Sequence, residues 1–242
     1  MKATAFATLF CLFFIGCADD FSEKDNTEAF EELPPEIIAS KPCNTLYQGI
    51  MAMYPEHKRN NESHSELFDP ATEKRIVLTR ETEVYASFIS EGAGWANTFG
   101  YYTYNVNSPP GSSADVKKYV LFPNVSDDIL EQGDMLQLGE GKFPAGTVIG
   151  FFLIARGYEN GLVHYNKPTS YTDPHLNKNA YQQHILFKEG ECGDIVLGFE
   201  DRALDHEDCD FDYNDIIMTV ADNRDQLETV SFDLSAVKQL QR

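Results

Sequence analysis

The densest chemistry in the chain is a 17-residue run from Phe199 to Asp215, FEDRALDHEDCDFDYND, in which Glu200, Asp201, Asp205, Glu207, Asp208, Asp210, Asp212 and Asp215 are carboxylates. Like charges this close repel and raise one another's pKa, so a set of this density beside apolar sequence calls for a counter-charge. A hard divalent cation supplies one. Calcium takes roughly six to eight oxygen ligands at about 2.3 to 2.6 Å. Asp210, Asp212, Asn214 and Asp215 offer alternating oxygens on one side of an extended loop, with Phe211 and Tyr213 directed to the other. The pattern is not an EF-hand. A loop started at Asp208 would put Tyr213 where glycine is needed and Thr219 where the bidentate glutamate belongs. The alternative is a solvated acidic loop that holds no ion.

Catalytic signatures are missing. His57, His64, His164, His175, His184 and His206 form no HExxH pattern, and none sits in a GxSxG elbow. Gly139-Glu140-Gly141-Lys142 lacks the spacing and the hydroxyl residue of a phosphate-cradling loop. A chain this acidic always has carboxylates enough for the pair that a glycosidase holds ~5 to 9.5 Å apart, so a glycan hydrolase stays as the minor alternative to a non-catalytic protein. His206 is either a transition-metal ligand or, more commonly for such a residue, solvent-facing. The aromatic run Trp95, Phe99, Tyr101, Tyr102 and Tyr104 suggests rings on a sheet face that stack on sugar, with Trp95 and Tyr102 as the candidates. Strand alternation puts Tyr102 and Tyr104 on one face and Tyr101 on the other, so at least one set is ordinary core.

The elements that position these residues are legible from pattern. Lys+Arg number 19 against 39 Asp+Glu, a formal net charge of -20, which argues against nucleic acid as a partner and for cations. A weakly polar to apolar stretch follows Lys2 and is shorter than the ~20 residues that span a bilayer, so residues 1–16 read as a signal peptide. Residues 17–42 are acidic and carry Pro34-Pro35, as expected of a disordered tether. Within 43–80, Leu46, Ile50 and Met53 at helical spacing behind a possible Asn44 cap predict a short helix that stops at Pro55, followed by a polar strap. From residue 81 to 222, runs such as VYASFI, YYTYNV, YVLFP, MLQL, VIGFFLIARGY, HILF, DIVLGF and DIIMTV alternate with Gly, Pro, Asn and Asp clusters. They predict an all-β fold, a jelly-roll-like β-sandwich with the short helix at its N-terminal side, and residues 223–242 read as a tail. Of the cysteines outside the signal and its end, Cys43, Cys192 and Cys209, we expect Cys192 to pair with Cys209 across a segment that folds back on itself, the alternative being three free thiols.

Three resemblances extend this reading. Phe14-Ile15-Gly16-Cys17 resembles a bacterial lipoprotein signal, with Phe14 where leucine is usual, which implies acyl chains on Cys17 as the mature N-terminus. Ala18-Asp19-Asp20-Phe21 is similar to the acidic tract that directs lipoproteins of the Bacteroidetes to the outer face of the outer membrane, which implies a lipid anchor there. Residues 81 to 220 resemble the bacterial domain of unknown function 4114 family, found in secreted and surface proteins, often beside adhesin-like modules. The matching pieces run in the family's order. They are Glu83-Val84, then Phe88 to Gly94, Asn97 to Tyr102, Phe143 to Thr147, Gly150 to Leu153, Gly198-Phe199-Glu200-Asp201, and Asp210 to Asp215. The resemblance implies a β-sandwich with a calcium site in the last two pieces, where Asp201, slightly ahead of Glu200, completes the ion's shell; it implies no biochemical activity. Cys192, Cys209 and the insert ALDHEDC depart from the family's pattern. The expected role is a surface-displayed, calcium-stabilised module for adhesion, binding or scaffolding, with a carbohydrate-binding module of a glycan-uptake system as the alternative and a glycan or surface protein as partner.

Overall fold

The structure, a computed structural model, describes residues 26–226 and 228–241. Cys17 and the signal expected before it lie outside the described residues. In chain order the elements are strands β1 (Thr27–Ala29) and β2 (Ile38–Ala39), helices α1 (Leu46–Met53) and α2 (Asn60–Ser63), then strands β3 (Ile76–Val77), β4 (Tyr85–Glu91), β5 (Asn97–Asn105) and β6 (Tyr119–Val125). Strands β7 (Asp134–Gln137), β8 (Thr147–Ile154), β9 (Tyr158–Glu159), β10 (Leu162–His164) and β11 (Thr169–Tyr171) follow. The last are β12 (His184–Glu189), β13 (Ile195–Phe199), β14 (Ile216–Ala221) and β15 (Lys238–Leu240).

Two sheets face each other. One runs β15-β12-β13-β14-β4-β7-β2, the other β11-β8-β5-β6 with β3 also on β8, and a small third sheet β1-β10-β9 packs behind the latter through Val163. The sandwich-like, all-β architecture is the expected one, and each of the eight strand runs read from the sequence is a strand here. The core between the sheets is built by alternation: Leu186, Leu197, Ile216 and Met218 from the seven-stranded sheet meet Phe99, Phe151 and Leu153 from the other. The opposite alternation points Ile185, Phe187, Val196 and Ile217 outward, where α1 covers them with Leu46, Ile50 and Met53. A helix with its apolar residues spaced this way buries one stripe, and truncating Ile50 to Ala costs about 2 to 5 kcal/mol. Residue 45, Thr rather than Asn44, takes the N-cap position of α1, and its side chain makes no cap bond. Behind the five-stranded sheet, Tyr102, Phe152, Ile154 and Tyr171 form a third cluster.

Three expectations are corrected. The tether is not free over its described part, because β1 pairs antiparallel with β10 and β2 with β7, and backbone pairing offsets the low apolar content of these residues. The tail docks as well: β15 pairs parallel with β12, and Phe232 and Leu240 are buried. The disulfide joins Cys43 to Cys192, with Cα atoms 5.9 Å apart, while Cys209 is a buried free thiol. Cys192 lies in the β12–β13 turn and Cys209 beyond the far end of β13, so a strand of five residues, roughly 17 Å, separates the pair expected from sequence. Cys43 stands just before α1, which packs on that same face. Among the described residues no helix is long and apolar enough to cross a membrane.

Candidate functional site

The acidic run leaves β13 at Phe199 and enters β14 at Ile216, so the end of one strand and the start of its neighbour hold it. Gly198 lets the loop lie on the strand, since a Cβ there would sit 2.5 Å from the Tyr213 carbonyl oxygen. The loop is kinked rather than extended: Phe211 and Tyr213 adopt φ of 64° and 57°, the left-handed region that bulky residues rarely occupy. Tyr213 is buried in the outer core and Phe211 packs against it, so the aromatic side chains do turn away from the carboxylates between them.

A second segment, distant in sequence, clamps the loop. Asn60 Nδ2 donates to the Asp212 carbonyl at 2.6 Å and the Asn60 backbone N–H to the Phe211 carbonyl at 2.8 Å. The His57 backbone N–H donates to Asp212 Oδ2 at 2.9 Å, and His57 Nδ1 lies 2.9 Å from Asp210 Oδ2. Asn214 Nδ2 donates to the Tyr54 carbonyl at 3.0 Å, which fixes the amide with its oxygen on the other side. Arg59 lies over the Phe211 ring at 4.1 Å.

Two groups of ligand atoms result, each with all its atoms within 4.8 Å of one another. The inner group is Glu200, Asp212 and Asp215; the outer is Glu56, His57, Asp210 and Asp212, so Asp212 belongs to both. Glu200 Oε2 and Asn214 Oδ1 are buried and have no hydrogen-bond partner among the described residues. Gly92 keeps the space beside them open, for a Cβ there would lie 2.7 Å from Asn214 Oδ1 and against Glu56 Oε1. Among the described residues no lysine or arginine forms an ion pair with Glu200, Asp212 or Asp215. Burial, then the Asp201 and Glu200 charges, pushes the Asp215 carboxyl up to about 9. Burial, then Asp210 and Asp212, takes Glu200 to about 8, and burial foremost takes Asp212 to about 6. Such groups stay close only if protons or a cation relieve them. The donor set of the inner group is all oxygen, as hard cations prefer.

Asp201 is in neither group. Its Oδ2 accepts from Asn97 Nδ2 at 3.0 Å and its backbone N–H donates to Asp215 Oδ2 at 2.8 Å, so it braces the cluster while Glu200 faces it, the reverse of the preference expected from sequence. The insert turns outward: Asp205 pairs with Lys178 at 2.8 Å and Asp208 with Arg202 at 3.1 Å. His206 is exposed, 3.8 Å from Asp208. Tyr102 is buried with its hydroxyl donating to Asp173 at 2.8 Å, which removes it as a sugar-stacking ring; packing across Gly150 covers that side of the sheet. Trp95 is half-buried beside the cluster, with Arg156 and Arg202 over its ring at 3.8 and 4.7 Å. Glu56, His57 and Asn60 had no signal in the sequence, since each works through a partner more than 100 residues away, while Gly92 and Asn97 fall within the family-like pieces but carried no expected role.

Residues 143–223 match the family model described as domain of unknown function (DUF4114). The DUF4114 segment opens at Phe143 and takes in β8 through β14 with the whole acidic run, about a third of the chain; the pieces from Glu83 to Tyr102 lie before it. No curated protein and no solved structure matches the chain. Both carboxylate groups draw on the end of the DUF4114 segment, whereas Glu56 and His57 come from outside it.

Proposed function

We propose that the chain is a calcium-stabilised β-sandwich that serves as a surface binding or scaffolding module, without catalysis, held at the outer membrane by lipid on Cys17. The observation that carries the calcium reading is the inner group, in which Glu200, Asp212 and Asp215 converge, while Glu200 Oε2 and the Asn214 Oδ1 of the same loop are buried without a hydrogen-bond partner among the described residues. An ion there would tie the end of β13 to the start of β14, and through Asp212 to the Glu56–His57 segment, so its binding free energy becomes folding free energy. The membrane part of the proposal is supported by the signal-like stretch and the Cys17 motif alone.

The test is thermal unfolding of the full chain in mild detergent, with excess calcium, with chelator, and in Asp212→Asn and Glu200→Gln variants. Occupancy at 100-fold over Kd adds about 2.7 kcal/mol, which for a chain of this size raises the midpoint by roughly 5 to 10 °C. A rise that the variants abolish supports the site. A folded protein indifferent to calcium would sink it.

A further inference from the structure

Beside the acidic cluster lies a groove in which cationic side chains gather. Its floor is apolar, made by Ala155, Pro168 and Ala203 with the edge of Trp95, and its volume of about 690 Å³ falls within the range of small-ligand sites. Its polar lining is Arg156, Lys167, Arg202 and His206 together with two carboxylates, Asp201 and Asp208, so the cations outnumber the acids in a chain whose net charge is -20. Lys167 is shared with Glu159 at 3.4 Å and Arg202 with Asp208 at 3.1 Å. Arg156 forms no ion pair among the described residues.

Arg156 is also held in place at a cost. It follows β8 with φ of 52°, a left-handed conformation that non-glycine residues seldom take, and its backbone N–H is fixed by Asn97 Oδ1 at 2.9 Å. Asn97 is wholly buried and gives its amide N–H to Asp201, so one side chain sets both the cationic turn and the brace of the acidic cluster. The indole then holds the Arg156 guanidinium by stacking at 3.8 Å, which orients the fork without using its donors. A guanidinium oriented in this way, with its N–H groups free, is built to receive a planar or tetrahedral anion.

We propose that this groove binds an anionic saccharide, with Arg156 and Arg202 taking its carboxylate or sulfate and the floor taking the C–H face of its ring. The apolar floor under cationic side chains favours a sugar acid over an extended acidic peptide, which would need a row of backbone partners. The proposal rests on the binding-module reading above and is independent of whether calcium occupies the neighbouring cluster.

Trp95 is the one tryptophan of the chain, so its fluorescence reports on this groove. The full chain in mild detergent is titrated with a galacturonate oligomer, a sulfated oligosaccharide, a neutral oligosaccharide and an oligoglutamate peptide. The expected result is a saturable fluorescence change with either anionic sugar, which distinguishes the two anion sources by affinity, none with the neutral sugar, and at least tenfold weaker binding in Arg156→Gln. Lys142→Gln, away from the groove, should bind as the parent does. Binding of the peptide as tight as that of the sugars, or anionic-sugar binding unchanged in Arg156→Gln, overturns the proposal, as does no response to either anionic sugar. The calcium-dependent unfolding shift is measured on the same variants. If it persists in Arg156→Gln while sugar binding is absent from the parent, only this proposal fails; if sugar binds and calcium has no effect, only the calcium reading fails.

Discussion

Strand β14 carries a carboxylate at each end, and the two are treated in opposite ways. Asp222, just after the strand, accepts backbone N–H groups from Val230 at 3.0 Å and Ser231 at 2.7 Å and the Asn223 amide at 2.8 Å. Burial pushes its carboxyl up, but the bonds from Ser231, Asn223 and Val230 prevail and hold it below the ordinary range. Asp215, just before the strand, receives one N–H bond from Asp201 and faces Glu200 and Asp212. One end is charged and satisfied from within; the other is a concentration of charge that the protein's own donors leave uncompensated. The contrast separates a structural acid from a ligand-holding one more clearly than burial does, because both are largely removed from water.

The comparison can be broken at either end. The largest effect is expected from Asp222→Ala, which strands two N–H groups and should cost about 2 to 4 kcal/mol, with or without calcium, in denaturant unfolding. A loss that calcium restores would mean the two ends are not independent. Next comes pH. Asp215 and Glu200 have folded pKa values raised above an unfolded value of about 4, so the stability they contribute is fully present below that value and is lost as pH rises through about 8 to 9. Asp222, lowered in the fold, contributes stability above about 4 that is lost as pH falls through its folded pKa. In chelator the protein should therefore weaken from pH 6 to pH 9, by more than about 1 kcal/mol, and calcium should flatten the slope, as denaturant midpoints at the two pH values would reveal. The smallest effect sharpens the sign. Asp215→Asn should stabilise the chelated protein at pH 9 by about 1 kcal/mol and remove the response to calcium, whereas Asp222→Asn should destabilise under every condition. Equal signs for the two asparagines would erase the distinction.

What was legible in the sequence follows from range. Alternation along β4, β8 and β12 to β14 is a local property, and so is the spacing of Leu46, Ile50 and Met53, so those elements were readable. Strands β1, β2 and β15, of two or three residues, have no pattern of their own and exist because partners offer free edges. At the site, the acidic loop announced itself by density, while its choice of Glu200 over Asp201 depends on Asn97 drawing the latter away. The clamp by His57 and Asn60 spans more than 150 residues. The same holds for the disulfide, whose partner Cys43 looked like a leftover because its neighbourhood is made by α1 docking, not by sequence proximity.

That disulfide also sets where a mechanical load enters the molecule. A pull on the N-terminal side of the chain would first unpair β1 from β10 and β2 from β7, releasing residues 26–43, roughly 60 Å of extended chain, as slack. The force then reaches Cys43, where the disulfide joins it to the β12–β13 turn at Cys192, between the second and third strands from the β15 edge of the wide sheet. Helix α1 and the His57–Asn60 clamp follow Cys43 in the chain, and the acidic loop follows β13, so all of them come after the cross-link. A pull from that side would therefore lengthen residues 26–43 before any load reached the site.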